Sequence, residues 1–162
     1  MRVKRVEMKK LFLTVFFALI MVSSANAQST LALQEKCAKW AEEQFVKTYG
    51  ESPRQGYWRS SKPDKDGAYY CFILESHYNK KRDRCFMFIQ EDHLGKDNRA
   101  IEFRVEYLFD AYEGKEYGYC HLSWDKKKVD WEPATGGFCH IGDRYPSSYD
   151  EWKQLIKPYM EE

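Results

Sequence analysis

The chain has 162 residues, of which 43% are hydrophobic, 31% charged and 17% aromatic, and its formal net charge is +1. That length suits one domain, and the composition excludes collagen-like, low-complexity and highly charged disordered classes. The near-neutral charge conceals an uneven first segment.

Met1 to Lys10 carries five basic residues and one acid, Leu11 to Val22 is apolar apart from Thr14, and Ala25-Asn26-Ala27 follows. A basic start, a short apolar run and a small-x-small exit describe a secretory signal peptide over 1–27. The run is 12 residues long, too short for a membrane-spanning helix of about 20. Met8 offers a second start, because Met8-Lys9-Lys10-Leu11 alone opens a compact signal. Removal of 1–27 leaves one domain, 28–162, with 21 basic and 24 acidic residues and a net charge of −3. So acidic a chain has no general electrostatic case for nucleic acid. No later apolar stretch approaches transmembrane length. No Cys follows the small-residue exit, so the expected product is periplasmic or secreted and not a lipoprotein.

The exported part holds 24 aromatic residues against 15 Leu, Ile and Val, which points to an aromatic core whose Tyr and Trp tips need partners. Thr30 is the expected N-cap of a first helix. Leu33, Cys37, Trp40, Ala41, Phe45 and Tyr49 form its apolar stripe, and Gly50 closes it. Tyr57 to Ser60 and Ala68 to Ser76 flank a Lys62-Pro63-Asp64-Lys65-Asp66-Gly67 turn. Ala68 to Ser76 and Cys85 to Gln90 are apolar on both alternating faces, as strands covered on both sides are. A polar turn joins them over Asn79 to Arg84. Ile101, Phe103, Val105, Tyr107 and Phe109 alternate with Glu102, Arg104 and Glu106, the pattern of a half-buried strand as far as Leu108. Glu113-Gly114-Lys115 turns into a strand over Glu116 to Trp124, Asp125 to Lys128 turns again, and Gly136-Gly137 precedes a short strand at Phe138 to Ile141. Ser148-Tyr149-Asp150-Glu151 is a capping box for a last helix striped by Tyr149, Trp152, Leu155, Ile156 and Tyr159. Pro158 should end its regular ladder near Lys157. The expected class is α+β: an N-terminal amphipathic helix, an antiparallel meander of five or six strands, and a short C-terminal helix.

All five cysteines lie beyond the signal segment, and export makes disulfides their default state. A turn centred on Lys81-Arg82 sets Cys85 opposite Tyr78, too far from Cys71 for a bond. Cys37 lies on the buried stripe of the first helix and can reach Cys85, so Cys37–Cys85 is the preferred pair. Gly118-Tyr119-Cys120-His121-Leu122 and Gly137-Phe138-Cys139-His140-Ile141 echo each other, which suggests either a Cys₂His₂ zinc site or a disulfide between neighbouring strands. Strand alternation sends Cys and His to opposite faces, which favours Cys120–Cys139 and no metal. Cys71 is then the free thiol, buried in an apolar strand and slow to react.

Among His77, His93, His121 and His140 no residue marks a nucleophile, and no P-loop, G-x-S-x-G, H-E-x-x-H or G-x-G-x-x-G motif occurs. No catalytic residue and no cofactor is assigned. Asp110, Glu113 and Glu116 cluster round a hairpin tip, where paired carboxylates are the candidates for acid and base work on a glycan. Tyr78, Lys80, Lys81, Arg82 and Arg84 form the most concentrated basic feature and are the candidate partner-binding surface.

Ser76-His77-Tyr78-Asn79-Lys80, Cys85-Phe86 and Asp110-Ala111-Tyr112-Glu113-Gly114-Lys115-Glu116-Tyr117 together resemble a set of small exported bacterial proteins of unassigned function. In those, a Cys-bearing helix precedes a "SHYN…KCF" hairpin and a "DAYEG" turn, and a short helix closes the chain. The resemblance covers much of the exported domain, supports Cys37–Cys85 as the framework pair, and implies no activity. Cys71 and Cys120 depart from the pattern, as does the missing second Cys before the last helix.

The expected function is an exported, disulfide-braced, non-enzymatic binding module, whose partner is a protein or an envelope polymer; an enzyme inhibitor belongs to this class. The alternatives are a small glycan- or peptidoglycan-acting hydrolase using the acidic loop residues, and a structural protein cross-linked through the odd Cys. The signal segment yields a direct prediction. Intact-mass measurement of exported material should give a chain beginning at Gln28, and a retained Met1 or Met8 segment would overturn it.

Overall fold

The computed structural model describes residues 29–60, 62, 67–94, 101–123 and 138–161. The signal segment, most of the turn at 62–67, and the turns at 125–128 and 136–137 fall outside these residues. The chain divides into two compact units, Met1–Glu35 and Lys36–Glu162. In the first, residues 29–35 are helical. The same helix, α1 (29–49), continues to Tyr49 in the second unit. Thr30 therefore lies inside the helix and does not cap it. Ser29 before it is helical as well, so neither residue has the extended backbone that a cap requires. Gly50 ends α1 with φ 73° and donates its N–H to the Val46 carbonyl at 2.8 Å, a left-handed closure that suits glycine.

Six strands follow: β1 (Trp58–Arg59), β2 (Tyr69–Asn79), β3 (Arg84–Leu94), β4 (Ile101–Asp110), β5 (Lys115–Ser123) and β6 (Phe138–Ile141). The helix α2 (Tyr149–Met160) comes last. The strands pair in sequence order, each antiparallel to the next, so the class is α+β. Tyr78 pairs with Cys85 across the β2–β3 hairpin, and the Asn79 side chain accepts the Arg82 N–H at 3.0 Å to close the turn.

Strand alternation feeds a core on each face of the sheet. On one, Cys37, Ala41 and Phe45 of α1 pack with Trp58, Phe72, Cys85, Met87 and Ile89. Phe45 meets Phe72 edge-on at 5.4 Å between ring centres, the geometry favoured by ring quadrupoles. On the other face, Phe86, Leu108, Cys120, Leu122, Cys139 and Ile141 pack under Trp152 of α2. β3 is apolar on both sides because helices cover both.

The covering helix changes the reading of β4. The alternation of Glu102, Arg104 and Glu106 suggests a solvent face, yet Glu106 is only 1% exposed beneath α2. Trp152 can come that close because β5 carries Gly118, where a Cβ would lie 3.0 Å from the indole and 2.9 Å from the His140 carbonyl oxygen. At the start of α2, the Ser148 hydroxyl accepts the Glu151 N–H at 3.1 Å, while the Glu151 carboxylate takes the N–H and hydroxyl of Ser147 at 2.7 and 2.8 Å. The helix does not stop before Pro158 but runs on to Met160. Pro158 interrupts only the last turn, and the carbonyls of Pro158 and Tyr159 accept the Asn79 amide at 2.8 and 3.2 Å.

Two disulfides brace the fold. Cys37 is bonded to Cys85, with Cα atoms 5.3 Å apart, and Cys120 to Cys139, with Cα atoms 3.9 Å apart. Cys120 and Cys139 are direct partners across β5 and β6, with His121 opposite Phe138 and His140 opposite Tyr119. Cys71 is free and 6% exposed. Such bonds suit an oxidising compartment.

Cys37–Cys85 spans 48 residues, and loop-closure entropy assigns about 4 kcal/mol to a bridge of that length. Cys37→Ser should therefore lower the melting temperature by roughly 10–20 °C and leave Cys85 open to alkylation. An unchanged melting temperature would show that the bridge contributes little.

Candidate binding surfaces

The basic turn is largely engaged with its own surroundings. Tyr78 donates its hydroxyl to Asp83 at 2.5 Å, and the Arg82 guanidinium lies 4.2 Å above the Tyr159 ring. Arg84 binds Asp110 at 2.8 Å and Glu113 at 3.3 Å. Lys80 and Lys81 project from the tip and are exposed. Arg82 and Arg84 brace the hairpin against α2 and the β4–β5 turn.

The three loop acids separate. Asp110 is not an exposed turn acid: it is 2% exposed, and its Oδ1 accepts the N–H groups of Tyr112 and Glu113, each at 2.9 Å. That is a turn cap, the usual work of Asp where a strand ends. Glu113 shares Arg84 with it, whereas Glu116 approaches His140 at 3.4 Å on β6. The arrangement does not pair two carboxylates across a cleft.

A polar network lies under α2. Glu106 accepts the Tyr149 hydroxyl at 2.6 Å and the Trp152 indole N–H at 2.7 Å. Burial holds its carboxyl above the usual carboxylate range, partly offset by these donors and by Arg104. One residue pair along the sheet, Asp92 forms a two-pronged ion pair with Arg104, one arm at 2.9 Å, and accepts Gln90 at 3.2 Å. Cys71 stands opposite Asp92 on β2. Tyr57 reaches both, and burial together with Cys71 and Asp92 pushes its phenol up. A groove of about 550 Å³ runs between α2 and the β2–β3 hairpin, with Glu75, Phe88, Ile156, Lys157 and Met160 in its walls.

The other face carries a second polar group beside the end of α1. Tyr49 donates its hydroxyl to Glu91 at 2.9 Å. Burial is the main cause that raises the Glu91 carboxyl, and burial aided by the Glu91 charge raises the phenols of Tyr49 and Tyr107. Tyr107 meets Tyr119 at 5.4 Å and Tyr119 meets His140 at 6.2 Å. Beyond them Phe138 and Tyr145 lie 5.9 Å apart and are 55% and 68% exposed. Glu91, Tyr107, Tyr119 and His140 come from four successive strands, so each strand alone gives no sign that they meet; only the register does. Among the described residues no group of three or more His, Cys, Asp or Glu is placed to hold a metal ion. No helix among them is long and apolar enough to cross a membrane.

Compared with protein families, curated proteins and solved structures, the chain matches none.

The Glu106 network predicts a pH dependence. A carboxyl raised in the folded state binds its proton more tightly there than in the unfolded chain, so its contribution is complete below about pH 4 and is lost as pH rises through the raised value. Glu106→Gln keeps an acceptor for Trp152 and should flatten the stability–pH curve on the mildly acidic side. Denaturation midpoints across pH 4 to 7 test this, and an unchanged slope would remove Glu106 as the source.

Proposed function

We propose that this protein is an exported, disulfide-braced, non-enzymatic binding module that engages a protein or an envelope polymer, enzyme inhibition being one form of that activity. The observation that carries the reading is the row of rings left uncovered on β5 and β6, where Tyr119 and His140 run outward to the exposed Phe138 and Tyr145. Exposed aromatic side chains give large contact area at little cost in side-chain entropy and anchor many interfaces. The rigidity needed to present them comes from Cys120–Cys139, which ties β6 to β5 directly behind the row. The two disulfides further support export to an oxidising compartment. The acids that would serve a hydrolase are divided between the Arg84 cluster and His140, which gives the enzymatic alternative less support.

Affinity capture from cell-envelope extract tests the reading. The native protein should retain a defined partner, and Phe138→Ala with Tyr145→Ala should weaken retention by about tenfold or more, as loss of two aromatic anchors does. Retention unaffected by the double variant would move the interface elsewhere. Glycan turnover by the purified protein would favour the hydrolase.

A further inference from the structure

Glu91 differs from the other buried carboxylates in the partners that the described residues give it. It is half-buried, yet among the described residues no lysine or arginine meets it; His93 is the one basic group whose charge acts on it. Buried carboxylates elsewhere in the fold are matched differently: Asp92 and Asp110 each hold an arginine, and Glu106 takes two strong donors. Among the described residues Glu91 takes one, the Tyr49 hydroxyl on Oε2.

What surrounds Glu91 is aromatic and electronegative. Tyr107 sits one strand over, two residues along from the Glu91–Val105 pair, and packs on Tyr119 at 5.4 Å. Tyr49 is the last residue of α1, so the negative end of the helix dipole lies at the same place. Glu116 adds a further negative charge felt by Tyr107 and Tyr119. Ring faces attract cations through their quadrupole, most strongly where water is partly excluded. A carboxylate adds full charge to that field.

We infer that Tyr49, Glu91, Tyr107 and Tyr119 form a binding site for a quaternary methylammonium group. Charge complementarity selects a cation, and the donor inventory selects its type. A primary ammonium carries three N–H donors, and any left unmatched in a half-buried site cost affinity. A quaternary ammonium has no N–H to match and presents only methyl groups to the rings. The inference deepens the binding-module reading and rests on it for the view that this face meets a ligand, but it fails or stands on its own measurement.

The probe is tetramethylammonium chloride, titrated into the full exported chain and followed by amide and side-chain NMR shifts, with sodium chloride at equal ionic strength as the control. Saturable shifts confined to the four residues and their neighbours are expected, with methylammonium binding more weakly. Glu91→Gln keeps an acceptor for Tyr49 and should weaken tetramethylammonium about tenfold. Tyr119→Leu removes a ring without touching the Tyr49–Glu91 bond and should weaken it independently. Shifts no larger than those from sodium chloride, affinity unchanged from the native protein in both variants, or tighter binding of methylammonium would each overturn the site. If tetramethylammonium binds but nothing is captured from envelope extract, the macromolecular partner fails and the site stands; the reverse result retires the site alone.

Discussion

Trp152 lies over Gly118 and gives its indole N–H to Glu106 at 2.7 Å, and the packing of one whole face depends on that contact. A sheet needs cover on each apolar face, and α2 can supply it only if the largest side chain of its stripe finds both space and a polar partner. Gly118 provides the space, since any Cβ there would meet the indole and the His140 carbonyl. Glu106 provides the partner, and Tyr149 from the same helix fills its second oxygen. Moving a carboxylate out of water costs several kcal/mol unless it is hydrogen-bonded. Here both oxygens are taken by α2, so burying the charge and docking the helix are one event. Asn79 fixes the far end of α2 by its two bonds to the terminal carbonyls.

The opposite face is organised by a covalent constraint. Cys37 sits one helical turn from Ala41 and two from Phe45, and its bond to Cys85 sets α1 above β2 and β3. Cover is therefore uneven. Phe72, Met87 and Ile89 are sealed beneath α1, while Tyr107, Tyr119 and His140 lie beyond it and stay half-exposed. The same strands thus supply a core at one end of the row and a surface of rings at the other. Residues with an apolar body and a polar tip suit that boundary, because each can pack on one side and hydrogen-bond on the other. The aromatic excess of the composition is distributed accordingly.

The hairpin tips do structural work that their charge disguises. Arg84, Asp110 and Glu113 form one cluster that closes the β4–β5 turn against the β2–β3 hairpin. Tyr112, 64% exposed at that turn, reaches Trp40 of α1 at 4.7 Å. Gly114 lies 3.2 Å, measured from an added Cβ, from the Gln44 side chain. The "DAYEG" segment is thereby a seat for α1, and the "SHYN" segment, through Asn79, an anchor for α2. Side chains committed in this way are poor candidates for partner contact, since using them would first mean breaking bonds within the fold.

Local pattern marked out the elements of this protein, although it misplaced the first turn of α1 and the last of α2. The 3.6 spacing of Cys37, Ala41 and Phe45, the alternation along Ile101 to Phe109 and the Ser148–Glu151 cap are local signals, and each is legible without knowing what lies nearby. The position of Cys85 opposite Tyr78 was likewise readable, because a short turn fixes hairpin register. What period cannot report is which face a distant element will cover. Glu106 alternates as a solvent residue does, and only the arrival of α2, more than forty residues later, makes it a buried acceptor. Asp110 reads as an exposed turn acid until Arg84 is brought across from β3. The Glu91 site is invisible for the same reason: its four side chains come from α1, β3, β4 and β5, and their meeting is a consequence of sheet register and of where α1 ends. Burial and charge pairing are properties of neighbours in space, so tertiary structure alone decided them.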